Sequence, residues 1–199
     1  MHAAEAVAAR RVFGHGAVLL AAGASTRLGR AKQLIEMGGE PLLRRVARAM
    51  LATAPVELVV VLGHDAARMR DVVVDLPLRC VVVTDPLQGM SASLRVGVTE
   101  LDARSEGALI ALTDQPALDK THLLALRDAW RDAPERAVAS AYAGVLGVPA
   151  LLPRTWFPEI LQLRGDVGAR ELLRARTRNV IAIDAPGLAR DLDTPADLR

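Results

Sequence analysis

The sequence predicts an α/β fold in which helices cover both faces of a mostly parallel sheet, giving three layers. Short, continuous apolar runs recur along the chain, and segments with helical spacing of apolar residues separate them. Strands that are buried on both faces of a parallel sheet have this continuous apolar character. The 199 residues contain no repeat, low-complexity tract or linker, which predicts a single domain over residues 1–199.

Strands and helices alternate in the predicted order of elements. We predict strands at residues 17–22, 57–63, 79–84, 107–114, 137–144 and 179–185, and residues 145–153 turn back towards a further strand. We predict helices at residues 41–52, 64–73, 90–101, 121–132, 158–163 and 168–176, with Pro41 in a first turn and Thr121 as an N-cap. Ligands of such sheets bind beyond the carboxyl ends of the strands. The candidate site loops are therefore 22–33, 63–65, 84–92 and 113–120.

The composition excludes several classes of protein. Hydrophobic residues make up 51% of the chain, which argues against disorder, and no apolar stretch approaches the ~20 residues of a membrane span. The net charge is +2 and aromatic residues are 3%, too few for base-stacking platforms, so we expect neither nucleic acid nor a membrane as partner. Residues 1–10 lack the apolar block of a secretory signal, which predicts a cytoplasmic protein.

The cysteine and histidine residues suggest neither a metal cluster nor a covalent nucleophile. Cys80 is the only cysteine, which excludes an internal disulfide and a cysteine-cluster metal site, and its apolar neighbours predict a buried, unreactive thiol. His2, His15, His64 and His122 are scattered without metal-ligand spacing, and we expect them to be structural or surface residues. A Gly-X-Ser-X-Gly motif is absent from the sequence, so no covalent intermediate is expected.

Residues 22–33 follow the first predicted strand and combine small residues with positive charge. Small residues let backbone N–H groups approach an anion, and basic side chains neutralise it: Gly23, Ser25, Gly29, Arg27, Arg30 and Lys32. A polyphosphate suits this loop, and the alternative is a solvated basic turn. The loop is not a Walker A motif, because Arg-Ala-Lys follows Gly29, and the Gly-His-Gly of residues 14–16 precedes the predicted strand and lacks the third glycine of a dinucleotide fingerprint.

The stretch LAAGASTRLGRAKQL at residues 20–34 resembles the signature of small nucleotidyltransferases, and its second alanine and Lys-Gln-Leu ending resemble the molybdenum cofactor cytidylyltransferase branch. Further blocks resemble the same family in order along the chain: GMSASLRVG (89–97), LTDQPALD (112–119), GVPALLP (147–153), LRGDVGARELL (163–173) and DLDTPADL (191–198). The resemblance implies a Rossmann-like α/β/α fold of the nucleotidyltransferase type. One departure is an asparagine that family members often have before the GMS block and that residues 83–89 lack.

The resemblance also implies which residues hold the nucleotide. In the family the opening loop wraps the nucleoside triphosphate, and the residues that match Arg27 and Lys32 contact its phosphates. The guanylyltransferase branch typically has two adjacent glycines in place of Ala22-Gly23, so Ala22 favours cytidine. The residues implied to bind nucleotide are Leu20, Ala21, Ala22, Gly23, Ser25, Arg27, Lys32, Gly63, Gly89, Ser91 and Ser93. For the two serines of the GMS block, the alternative is an ordinary position at the start of a helix.

Asp114 closes a predicted buried strand on the side where a ligand is expected. A carboxylate there suits Mg²⁺, which takes one or two protein carboxylates together with phosphate oxygens and water. The alternative is an Asp-Gln-Pro turn without a ligand. The resemblance implies Asp193 as the second metal ligand, with Asp191 as the runner-up. In the same segment, Thr194 and Asp197 fit a capping box at a helix start.

Residues 163–173 match a block that lies near the acceptor substrate in the family. This implies acceptor contacts for Asp166 and the Gly168 backbone, and we place Gln115 of the Asp-Gln-Pro segment in the same group. The alternative is a glycine turn that starts a helix, with Asp166 as its cap.

The chain therefore resembles a Mg²⁺-dependent nucleotidyltransferase, in particular a molybdenum cofactor cytidylyltransferase. Such an enzyme transfers CMP from CTP to the terminal phosphate of the molybdopterin cofactor and releases pyrophosphate. Arg27, Lys32 and Asp114 are the expected catalytic residues, because positioning and charge neutralisation carry phosphoryl transfer. The expected partners are CTP, the molybdopterin-type cofactor and, transiently, a molybdoenzyme or its chaperone. Alternatives are a sugar phosphate or another phosphorylated acceptor, the use of GTP, a non-catalytic accessory protein that binds nucleotide or cofactor, and a nicotinamide-binding oxidoreductase.

Overall fold

A computed structural model describes residues 13–23, 31–84 and 89–190 of the chain. The strands are β1 (His15–Ala21), β2 (Glu36–Met37), β3 (Glu40–Pro41), β4 (Leu58–Leu62), β5 (Arg79–Val82), β6 (Gly107–Leu112), β7 (Ala137–Tyr142), β8 (Val145–Pro153) and β9 (Val180–Asp184). The helices are α1 (Leu42–Leu51), α2 (Ala66–Asp71), α3 (Met90–Thr99), α4 (Lys120–Asp132), α5 (Phe157–Ile160) and α6 (Ala169–Ala175). Every predicted strand and helix overlaps an observed one.

Seven strands form one sheet in the order β5-β4-β1-β6-β8-β7-β9. Neighbouring strands are parallel, apart from β8, which is antiparallel to both β6 and β7. The predicted mostly parallel sheet is thus confirmed. The two short strands β2 and β3 form a separate antiparallel ribbon between β1 and α1 in the sequence.

The interior consists of two hydrophobic layers, one on each face of the sheet. Successive side chains of a strand point to opposite faces, so alternate residues of β1 enter the layer beneath α1, α2 and α4 and the layer beneath α3, α5 and α6. Each layer contains one of the two tryptophans, Trp130 in the first and Trp156 in the second. Burial on both faces explains why the strands are continuously apolar in sequence.

Two helices begin differently from the prediction. The cap of α4 is Asp119 and not Thr121, because the Asp119 Oδ1 accepts the backbone N–H of His122 (2.9 Å). Both residue types are good N-caps, and the one with extended backbone before the first helical residue takes the role. α1 begins one residue after Pro41, which occupies the N-cap position and not the first turn.

The carboxyl ends of β1, β4 and β6 lie side by side at one edge of the sheet. In the parallel register, Ala21 is opposite Leu62 and Leu20 is opposite Leu112. The segments that follow these strands therefore begin next to one another, as expected for the ligand side of the sheet. None of the helices in the described ranges has both the length and the hydrophobicity of a transmembrane span.

Candidate active site

A cavity of about 330 Å³ lies at the carboxyl ends of β1 and β6. Its wall contains the end of β1, the 3₁₀ turn Lys32–Leu34, the start of α3 and the residues that follow β6. Among the residues predicted to form the site, those that line the cavity are Leu20, Ala22, Gly23, Lys32, Gly89, Ser93, Asp114 and Asp166. Segments far apart in sequence therefore meet where ligands of parallel sheets bind.

The remaining predicted nucleotide and metal residues lie beside this cavity or outside the described part of the chain. Ala21 is the buried last residue of β1, and Gly63 packs against the backbone of Ala22. Ser91 is fully buried in the first turn of α3, where its Oγ accepts a hydrogen bond from Arg95, and it does not line the cavity. The residues that fall outside the described ranges are Ser25, Arg27, Gly29, Arg30, Asp191, Asp193, Thr194 and Asp197.

Lys32 and Asp114 form an ion pair in the cavity. The Lys32 Nζ lies 2.6 Å from the Asp114 Oδ2, and the two side chains are only 13% and 18% exposed. The other carboxylate oxygen of Asp114, Oδ1, is buried and accepts no hydrogen bond from any described residue. A buried oxygen without a donor is costly, and a bound cation is one group that would satisfy it.

The possible metal ligands around Asp114 fit a magnesium site to which the protein contributes few oxygen atoms. Within residues 13–23, 31–84 and 89–190, no group of three or more His, Cys, Asp or Glu side chains is placed to hold a metal ion. Mg²⁺ needs only one or two protein carboxylates when phosphate oxygens and waters complete its coordination. The unpartnered Oδ1 of Asp114 suits such a contact, and Asp193, the other predicted ligand, lies outside the described residues.

A second cavity of about 300 Å³ adjoins the first, and the two share the wall residues Leu20, Met90, Leu112, Asp114 and Asp166. Gln115 and Gly168, which were predicted to contact the acceptor, line this second cavity together with Arg170. The Gln115 Nε2 donates to the Val148 carbonyl oxygen (3.0 Å), and its Oε1 is buried without a donor among the described residues. Two adjoining cavities with Asp114 in their common wall suit a reaction between two substrates.

The start of α3 is packed against the loop that precedes α6. The backbone N–H of Met90 donates to the Asp166 Oδ1 (3.4 Å), and that of Ser91 donates to the Gly165 carbonyl oxygen (3.2 Å). Gly89 has a φ of 77°, and a Cβ there would lie 2.6 Å from the Gly165 carbonyl carbon, so only glycine permits this approach. Two sequence blocks that are distant along the chain thus form one wall of the site.

These contacts correct the alternative role of Asp166 as the cap of the next helix. The N-cap position of α6 is Gly168, whose backbone N–H donates to the Glu171 Oε2 (3.0 Å). Asp166 instead accepts from Met90 at the start of α3, because the turn at residues 165–166 carries its carboxylate towards that helix.

Gln33 is a buried polar residue of the site that sequence reasoning missed. It lines the first cavity, is 1% exposed, and its Nε2 donates to the carbonyl oxygens of Ala21 and Gly23, both at 2.9 Å. The sequence signal was its position next to Lys32 in the Lys-Gln-Leu block. A polar residue beside a basic one is also common on a protein surface, so the sequence alone does not distinguish a buried site residue from an exposed one.

Two histidines and the cysteine make contacts away from the two cavities. The His15 Nε2 is hydrogen-bonded to the Thr53 Oγ1 (2.9 Å), and the His122 Nε2 to the Ser140 Oγ (2.7 Å). Burial lowers the pKa of both imidazoles, and neither ring lines a cavity described above. Cys80 is half-buried on β5 and not fully buried as predicted, and burial raises the pKa of its thiol, which disfavours the reactive thiolate.

Comparison with known proteins identifies the family. The family model described as the MobA-like NTP transferase domain matches residues 17–180. The chain belongs to this family. The assignment confirms the resemblance that residues 20–34 and the later blocks suggested, and the protein is a nucleotidyltransferase of the MobA-like family, related to enzymes that modify the molybdenum cofactor.

Two relatives of this MobA-like chain match most of its length. It is 34% identical over 188 residues to nicotine blue oxidoreductase of Paenarthrobacter nicotinovorans, and the match covers 89% of this chain and 91% of the relative. It is 29% identical over 193 residues to the purine catabolism protein PucB of Bacillus subtilis, and the match covers 90% of this chain and 92% of the relative.

A solved structure also shares the MobA-like fold over nearly the whole chain. Rv0371c from Mycobacterium tuberculosis superposes with a TM-score of 0.82 at 29% identity, covering 94% of this chain and 96% of the other. The same protein in complex with manganese superposes with a TM-score of 0.76 at 28% identity, covering 93% and 96%.

Proposed function

We propose that the protein transfers CMP from CTP to the phosphate of the molybdenum cofactor, with Mg²⁺, and releases pyrophosphate. The observation that carries this proposal is the Lys32–Asp114 pair, whose buried Oδ1 lacks a donor among the described residues and whose carboxylate lies in the wall common to two cavities. Asp114 would hold a cation, Lys32 would contact the phosphate tail of the nucleotide, and the second cavity would take the second substrate. Membership of the MobA-like family supports the reaction class, and cytidine is favoured by the Ala22-Gly23 pair.

The first cavity is proposed to hold the nucleoside triphosphate. The small residues Ala22 and Gly23 line it, and Lys32 brings a positive charge that would neutralise phosphate oxygens. Arg27, outside the described residues, is proposed to share this role. A divalent cation held by Asp114 would supply further charge neutralisation and orient the phosphates, with Asp193 as the proposed second ligand. The manganese complex of Rv0371c supports a divalent cation in a related fold.

The second cavity is proposed to hold the acceptor. Asp166, Gly168 and Gln115 line it, and Arg170, which lines it beside Glu171, would offer a positive charge to an acceptor that carries a phosphate. An acceptor-phosphate oxygen attacks the α-phosphorus, the bond from that phosphorus to the bridging oxygen breaks, and pyrophosphate leaves with the electron pair. A phosphate nucleophile is ionised at neutral pH, so the step needs no general base, and the described residues that line the two cavities include no histidine.

A pyrophosphate-release assay tests this proposal. CTP, GTP and ATP are supplied in turn with Mg²⁺, with and without molybdopterin cofactor. We expect release only when CTP and the cofactor are both present. Release with GTP would overturn the choice of base, release with a sugar phosphate would overturn the acceptor, and nucleotide binding without release would indicate a non-catalytic accessory protein.

A second candidate function is that of an oxidoreductase, because one relative is an enzyme of that class. On the basis of the 34% identity to nicotine blue oxidoreductase, the second candidate is a redox reaction on the same fold. The sequence lacks the dinucleotide fingerprint, and β1 begins at His15, so Gly16 of the Gly-His-Gly segment lies at the strand end opposite to the cavities. We expect no consumption of NADPH when its absorbance is followed in the presence of nicotine blue. Consumption at a catalytic rate would make the oxidoreductase the better assignment.

A further inference from the structure

The side chain of Gln33 joins two segments of the nucleotide cavity. Its amide has two hydrogens, and its Nε2 donates to two carbonyl oxygens, those of Ala21 and Gly23. Ala21 is the last residue of β1, whereas Gln33 belongs to the 3₁₀ turn Lys32–Leu34. One buried amide therefore holds the end of the strand against the turn that carries Lys32.

The two hydrogen bonds lie at the carboxyl end of β1, where its pairing with β6 stops. The pairing of β1 with β6 ends at Leu20 opposite Leu112, and the cavity begins just beyond this point. On the other side of β1 the pairing with β4 continues to Ala21 opposite Leu62, and the Gln33 side chain adds a donor for the Ala21 carbonyl oxygen and one for that of Gly23. Because Gln33 is 1% exposed, water does not replace it.

We propose that Gln33 is a positioning residue for the nucleoside triphosphate. It fixes the backbone of residues 21–23 relative to Lys32, so the backbone and the ammonium group act on the same phosphate tail at a set separation. Displacements of about 1 Å in such groups lower reaction rates by up to about 100-fold. The inference rests on the proposed function, since it assumes that the first cavity binds the nucleotide.

The test is a calorimetric titration of the Gln33→Met variant with CTP in the presence of Mg²⁺. Methionine has the same unbranched shape but no donor, so the Ala21 and Gly23 carbonyl oxygens lose their hydrogen bonds from this side chain. We expect the affinity for CTP to fall about tenfold or more, with a matching rise in the KM for CTP. Gln162→Met is the matched control, because Gln162 is exposed, and its affinity for CTP is expected to equal that of the wild type.

Binding of Mn²⁺ alone separates positioning from general damage. A merely structural role would disturb the whole cavity and weaken both Mn²⁺ and CTP, whereas a positioning role weakens CTP and leaves Mn²⁺ binding at Asp114 unchanged. Equal CTP affinity in Gln33→Met and wild type, or parallel loss of both ligands, would overturn the inference. If the wild type binds none of CTP, GTP and ATP, it is the proposed function that fails.

A second variant covers the case in which Gln33→Met does not fold. Gln33→Asn keeps an amide but is one methylene shorter, so it cannot reach both carbonyl oxygens. We expect a several-fold loss of CTP affinity with a circular dichroism spectrum like that of the wild type. Wild-type affinity in the folded asparagine variant would show that the two hydrogen bonds do not position the nucleotide.

Discussion

The Lys32–Asp114 pair sets a condition on the two ligands proposed for the site. A cation at the Asp114 Oδ1 would share the carboxylate with the Lys32 ammonium, which lies 2.6 Å from Oδ2, and a phosphate that draws Lys32 away would leave the whole carboxylate to the cation. Both side chains are largely buried, so neither charge is readily compensated by water. When both ligands bind, each charge exchanges one partner for another. The affinities for the cation and the nucleotide are therefore expected to be reciprocally coupled.

Replacement of Lys32 tests this coupling. In Lys32→Met, Asp114 has no competing ammonium, so we expect Mn²⁺ alone to bind about tenfold more tightly and CTP to bind more weakly. Titration of each ligand in the absence and presence of the other measures the coupling between them. In Lys32→Met this coupling should largely disappear. Lys120→Met is the control, because Lys120 is the only other lysine and is exposed at the start of α4. Unaltered Mn²⁺ affinity in Lys32→Met would contradict the competition.

Asp114 itself is expected to be essential for turnover. Asp114→Asn keeps the shape of the side chain but removes the charge that would hold a cation, so the rate of pyrophosphate release should fall by about two orders of magnitude or more. The exposed Asp71, at the end of α2, provides the control variant Asp71→Asn, which should release pyrophosphate at the wild-type rate. Near-normal turnover in Asp114→Asn would remove the basis for a metal at this position.

At the scale of elements, α3 connects the core to the site. Its first turn forms part of the cavity wall, and its last turns lie directly on β1 and β4. The contact depends on Gly97, because a Cβ there would lie 2.3 Å from the Val18 Cγ1 and 3.1 Å from the Val61 Cγ2. The absence of a side chain at this position lets the helix approach the sheet closely.

Gly97→Ala is therefore expected to destabilise the protein although alanine is the better helix former. Alanine gains about 1 kcal/mol over glycine inside a helix, whereas overpacking a core costs typically 1–3 kcal/mol and, on a sheet, displaces backbone. We expect a net loss of about 1 kcal/mol or more in the free energy of unfolding, measured with urea. Thr99→Ala, on the exposed end of the same helix, should change it by less than about 0.5 kcal/mol. Increased stability of Gly97→Ala would show that α3 has room to move outward.

The sequence predicted the elements better than the contacts between them. Apolar periodicity belongs to each short segment, so the type and order of strands and helices could be inferred locally. The cap of α4 could not, because Asp119 and Thr121 are equally suitable residue types and the backbone decides between them. The contact of Gly89 with Gly165 depends on two segments that only the folded chain brings together.

For the candidate site, the sequence predicted those residues whose position follows from the order of the parallel strands. Lys32 and Asp114 come after parallel strands, so their meeting at one edge of the sheet could be expected. The hydrogen bonds of Gln33 and the burial of Ser91 were not predictable, because a polar side chain in sequence carries no sign of the direction in which it points.

At the scale of the whole molecule, the site and a buried polar group occupy opposite ends of β1. His15 is the first residue of the strand and is fully buried, with its Nε2 bonded to the Thr53 Oγ1. The Thr53 hydroxyl donates to the Met50 carbonyl oxygen (2.7 Å), so the Nε2 must carry the hydrogen of the His15–Thr53 bond. The Nδ1 is then unprotonated, and it is buried without a partner among the described residues. Burial, together with the charges of Arg131 and Arg127, lowers the pKa of His15 from 6.5 to about 4.

This lowered pKa predicts how stability depends on pH. Between pH 6.5 and about 4 the unfolded chain binds a proton that the folded chain does not, so stability rises with pH through this window and is lost as the pH falls. His15 should make the protein about 2 kcal/mol less stable at pH 5 than at pH 7.5. Urea unfolding of wild type and His15→Gln at the two pH values checks this.

The glutamine variant should show a smaller difference in stability between the two pH values, because its side chain does not titrate. His64→Gln, at an exposed histidine, should keep the wild-type difference. Contributions from the titratable groups other than His15 and His64 are common to all three proteins and cancel in the comparison. An equal pH dependence in wild type and His15→Gln would mean that His15 is not the group responsible.

The placement of one tryptophan in each layer of the interior makes the two faces of the sheet separately visible to fluorescence. Trp130 on α4 and Trp156 ahead of α5 are the only indoles of the chain, so replacing either one with phenylalanine leaves a single emitter on one face. Coincident loss of both signals with urea would be the mark of one cooperative unit. Separate midpoints would reveal that one set of helices can leave the sheet while the other remains in place.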